Sequence, residues 1–227
     1  MEPLLRFVDE LERRDEDAAA ALREIEELQR EVEETRARGA AIAAFLASFP
    51  GALAVREAEE RAADESLAAA AEALAEAEAE LAEAEKRGRE DARLAAERTV
   101  QHARDALRDA EHRVERAHAE RGRLVLEERA QRGDGDRLVL GAQPLAATLA
   151  ANPRIATEPP GPGLDGVLEW TSRARGDLLL AHAGLDTERD KVVREATELV
   201  ASAVGEPLPP NGVAGVREQL MRSIGTR

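Results

Sequence analysis

Apolar residues recur three and four positions apart along most of this chain, and the breaks in that rhythm divide it into helical segments. The first run comprises Leu4, Val8, Leu11, Ala18, Leu22, Ile25, Leu28, Val32, Ile42, Leu46 and Phe49. It predicts a helix that opens at Pro3, a residue suited to a first turn, and ends near Ser48. Phe49-Pro50-Gly51-Ala52 then fits a type II turn, with Pro second and Gly third. A reversal here predicts an antiparallel second helix over about Leu53 to Gln131.

Within that second segment Leu67, Leu74 and Leu81 repeat every seven residues, each followed by Ala70, Ala77 or Ala84 three positions later. Small knobs of this kind let two helices approach closely. The phase shifts past Gly88 through Ala92 and Ala96, then resumes as Val100, Ala103, Leu107, Ala110, Val114, Ala117 and Leu124. A turn at Pro50-Gly51 would set Leu74 opposite Glu27 and leave residues beyond about 98 to another partner.

Two stretches break the pattern further on: glycine-rich Arg132 to Asp136, and Asn152 to Gly163 with four prolines. The first predicts a loop that includes Leu138 to Leu140, and Pro144 to Ala151 predicts one or two helical turns. Amphipathic segments at 165–183, closed by Gly184, 187–204, closed by Gly205, and 213–224 predict three short helices. Short helices need tertiary support, so a small bundle is expected, drawing on the far end of the second helix. The fold class is all-α: an elongated antiparallel coiled-coil hairpin over 1–132 with its turn near 49–52, a linker over 133–163, and a helical C-terminal region over 164–227.

Composition agrees with a thin interior. Three Phe, one Trp and no Tyr supply little for a wide core, whereas a coiled-coil seam needs only aliphatic side chains. Acidic residues number 47 against 32 basic, a net charge of -15, which repels a phosphate backbone and argues against nucleic acid as a partner. The absence of cysteine excludes disulfides, thiolate metal sites and a cysteine nucleophile. The opening MEPLLRFVDELERRDED reads as neither a secretory signal nor a transit peptide, and the expected compartment is the cytoplasm.

Candidate chemistry is sparse. Glu115-x-x-His118 and Asp109-x-x-His112 have the spacing used in di-metal bundles, but both lie on one helix at the margin of its seam. Solvated ion pairs are the expected reading, with no metal, cofactor or catalytic residue assigned. No phosphate-binding glycine loop or serine nucleophile elbow occurs, and the chain is read as non-enzymatic. The strongest feature is Gly39 to Val55, 17 residues without a charge inside a segment dense in Glu and Arg. At a hairpin tip, Phe45, Leu46, Phe49, Leu53 and Val55 would form an apolar contact cluster. The expected function is that of an adaptor, spacer or assembly subunit, binding another protein or a second copy through the tip or the coiled-coil surfaces. Peripheral membrane contact through the tip is the alternative, and a metal-binding helical-bundle enzyme the remote one.

Overall fold

The computed structural model describes residues 2–225. Four α-helices account for nearly all of it: α1, Glu2–Lys86; α2, Glu90–Ala151; α3, Gly163–Val204; and α4, Val216–Gly225, preceded by a 3-10 turn at Gly212–Gly215. The long helices α1 and α2 pack against each other as an all-α hairpin, and no strand occurs among the described residues. The side chain expected to be apolar at Ile224 lies outside those described.

The reversal is not at Pro50-Gly51 but at Gly88. Lys86, in the last turn of α1, and Glu90 and Asp91, in the first turn of α2, each complement the helix dipole at their end. Between them Gly88 takes φ 66°, the left-handed conformation that favours glycine after a helix, and its N–H donates to the Glu85 carbonyl at 3.2 Å. Lys-Arg-Gly-Arg-Glu-Asp is thus a stop and start signal, whereas the periodicity alone reads it as a phase shift.

Pro50 instead lies inside α1. It removes one backbone donor, so the Leu46 carbonyl loses its ordinary partner. The helix continues because tertiary packing outweighs the local break: Phe45, Leu46, Phe49 and Leu53 are half-buried. They are bracketed by contacts to α2, Ile42 against Gly135 on one side and Arg56 with Glu120 on the other. The same support carries α2 through Gly133, Gly135 and Pro144 to Ala151, so the expected loop at 132–140 is helical.

The chain divides into two compact units, Met1–Ala40 with Asp136–Arg227, and Ala41–Gly135. The second is a two-helix coiled coil. Its seam uses the residues that the heptads single out, with Ala77, Ala96, Val100 and Ala110 buried. The register differs from the sequence expectation. Glu78 pairs with Arg104 at 3.0 Å and Glu60 with His118 at 3.1 Å, so α2 beyond residue 98 lies against α1.

The first unit packs the N-terminal part of α1, the end of α2, α3 and α4 together. One core cluster joins Leu22, Ile25, Leu28 and Val32 of α1 to Leu145 and Leu149 of α2 and to Val167, Trp170, Ala174 and Leu178 of α3. A second joins Val8 and Leu11 to Val192, Ala196 and Val200 of α3 and Val216 and Leu220 of α4. The C-terminal helices therefore do not form a bundle of their own. Ion pairs follow the antiparallel α1/α3 contact: Arg14 with Glu195 at 2.7 Å, Asp15 with Arg189 at 3.0 Å and Glu33 with Arg175 at 2.5 Å.

α3 is one helix rather than two. Its buried stripe runs on from Leu185 to Val192, one heptad later, and exposed Gly184 costs only helix propensity, about 1 kcal/mol. It stops where expected, at Gly205, φ 77°. Gly39 marks the point where α1, α2 and α3 meet: a Cβ there would come within 2.9 Å of Leu168 and 3.2 Å of Leu138. Trp170 is fully buried, and its indole N–H has no hydrogen-bond partner among the described residues.

Candidate functional site

The uncharged stretch of α1 lies in the middle of a helix and is not a tip. Of the five residues expected to gather there, Phe45, Leu46, Phe49 and Leu53 are half-buried, while Val55 is 57% exposed. The aromatic pair is half-buried within the helix rather than gathered at its end.

What the stretch presents outward is a row of small side chains. Ala44, Ala47, Gly51, Ala54 and Ala58 follow a strict three-four spacing and all are exposed. With the 42–46–49–53 seam turned to α2, this row falls on the opposite side of α1. An 18-residue window of α1 reaches a mean hydropathy of 1.5 with only 11% of it buried. Helix α1 thus carries two heptad stripes here, one large and covered, one small and uncovered. The second is visible in the sequence only once the turn is removed from Pro50.

Immediately beyond, the α1/α2 seam becomes polar. Arg56 lies 2.6 Å from Glu59 and 2.7 Å from Glu120. The hydrogen bond to Glu59, with the charge of Glu120, holds the Arg56 guanidinium above its usual pKa. Glu60, whose side chain is 19% exposed, receives His118 at 3.1 Å and Arg121 at 3.5 Å. Polar residues in a coiled-coil seam fix register at some cost in stability, and this layer does so between α1 and α2.

The carboxylate-histidine spacings resolve into two separate ion pairs. His118 is directed to Glu60 on the other helix, and His112 sits 3.5 Å from Glu115. The two motifs do not converge, and no group of three or more His, Asp or Glu suited to a metal ion occurs among the described residues. Beside the polar layer runs an open groove of about 530 Å³, floored by Ala62, Ala63 and Ala117. Comparison of the chain with family models, curated proteins and solved structures finds no match to any of the three.

Proposed function

We propose that this is a non-enzymatic coiled-coil interaction protein of the cytoplasm, an adaptor, spacer or assembly subunit that binds a protein partner along the uncharged stretch of α1. One observation carries the reading: a helix window apolar enough for burial is only 11% buried. Apolar helix surface of this length favours a covering partner. Small side chains at three-four spacing suit the close approach of another helix. Contact with a membrane surface is the second reading, resting on the same window. It is the weaker one, because interfacial helices insert bulky apolar side chains and here Phe45 and Phe49 are already half-buried.

The test replaces Ala47 and Ala54 together by Glu, at exposed positions where helicity should be kept. Affinity capture from the native host, wild type beside variant, should lose a defined protein partner, and flotation with anionic lipid vesicles should recover neither form. An unchanged set of captured proteins would remove the protein-docking reading. Flotation of wild type but not of the variant would replace it with membrane contact.

A further inference from the structure

We propose that α4 is a displaceable strap over a groove between the N-terminal part of α1 and the end of α3, and that this groove takes, in its place, a basic amphipathic helix of a partner protein. The surface is separate from the uncharged row on α1, and the experiment below reads peptide binding rather than capture.

The first observation is how α4 is held. Val213, Val216 and Leu220 meet Val8 and Leu11 of α1 and Val192, Ala196 and Val200 of α3, and all eight are at most 2% exposed. Spaced i, i+3 and i+7, the three C-terminal side chains are the anchors of a helix laid in a groove. With ten residues, α4 is too short to keep a helix in water without such support. Its ion pair to α1, Arg217 with Asp9 at 2.8 Å, is about half exposed on both sides and adds little to that hold.

The second observation is the tether. Residues 205–212 read Gly-Glu-Pro-Leu-Pro-Pro-Asn-Gly. The glycines at its two ends take positive φ, 77° and 65°, and the three prolines between them cannot continue α3 into α4. A short terminal helix joined in this way can open as a unit while the longer helices stay folded. Each opening uncovers Val8, Leu11, Ala196 and Val200 for an incoming apolar face.

The third observation is the charge of the rim on α1. Asp9 faces Arg217. Burial raises the carboxyl of Glu12 above its usual value, the Arg217 charge opposes that shift, and Asp9 and Glu16 add to it. A helix with a cation four residues after its first anchor, as Arg217 follows Val213, therefore offsets the carboxylates of Asp9 and Glu12. An acidic helix would add to their repulsion.

Fluorescence anisotropy with a labelled peptide of residues 212–225 and the full chain tests this. In wild type the tethered α4 leaves the groove free for only a fraction of the time, and the apparent affinity of a competitor falls by that fraction. V216E/L220E, which releases α4 within the full chain, should bind the peptide at least tenfold more tightly than wild type. A peptide carrying Arg217→Glu should bind that variant at least threefold more weakly. Hydrogen exchange on wild type needs no variant: the amides of α4 should exchange through an opening that leaves α1 and α3 protected. If V216E/L220E loses helix beyond α4, this second measurement decides. Equal affinity of variant and wild type, equal affinity of the charge-reversed peptide, or α4 amides that exchange only on global unfolding would each overturn the proposal.

Discussion

Replacing Pro50 and Gly51 together by Ala should stabilise the protein. In the interior of a helix Pro is about 3 kcal/mol and Gly about 1 kcal/mol less favourable than Ala. Pro50 is exposed, and a Cβ at Gly51 would have no neighbour within 4 Å, so no packing is disturbed. The change restores a donor to the Leu46 carbonyl. Against this, losing Pro enlarges the unfolded ensemble and returns up to about 1 kcal/mol. A net gain of about 3 kcal/mol is expected, read as a higher urea midpoint by far-UV circular dichroism at unchanged slope. A type II turn at these residues would respond in the opposite sense, since it needs positive φ at Gly51, which Ala resists. A lower midpoint, or none of the expected gain, would refute the continuous helix through Pro50.

Three further outcomes follow from the packing. Trp170→Phe should be nearly neutral in urea unfolding because it removes a buried donor that has no partner, whereas Trp170→Ala should cost about 3–5 kcal/mol; equal losses in the two would contradict that environment. Phe45→Glu/Phe49→Glu should lower stability by about 2 kcal/mol or more, since both rings are half-buried, and retention of the wild-type melting temperature would place them in solvent. The hydrogen bond from Arg14 holds the Glu195 carboxyl below its usual range. Its contribution, under about 1 kcal/mol for a partly exposed pair, is present above the unfolded value and lost as pH falls through the folded one. Glu195→Gln should therefore be slightly less stable at neutral pH and converge with wild type once the medium is more acidic than the folded carboxyl; a gap that persists there would assign the effect to packing.

Periodicity made the helices legible and left their pairing open. The seams Leu67 to Ala84 and Val100 to Leu124 are used as read, because a heptad stripe specifies a face whatever covers it. The partner depends on where the chain turns, and two signals competed. Pro50-Gly51 has the local chemistry of a turn, yet it sits between residues half-buried against α2, and tertiary packing overrides a single lost hydrogen bond. Lys86 to Asp91 has no proline, but it combines a basic helix end, a left-handed glycine and an acidic helix start. A turn at Pro50 would make the uncharged stretch a tip; the continuous helix instead leaves its row of small residues exposed. Gly133, Gly135 and Gly184 have the local character of breaks, yet inside long supported helices they cost too little to end them.

The register of α1 against α2 is the claim on which the candidate surface rests. The chain lacks cysteine, so Glu78→Cys/Arg104→Cys admits two spin labels at an exposed pair whose native side chains lie 3.0 Å apart. A turn at Gly88 predicts a short distance by pulsed electron resonance, with the labels on neighbouring helices whose axes are about 8–10 Å apart. A turn at Pro50-Gly51 would leave both labels on one unbroken helix, separated by about 39 Å at 1.5 Å per residue, and that longer distance would contradict the account.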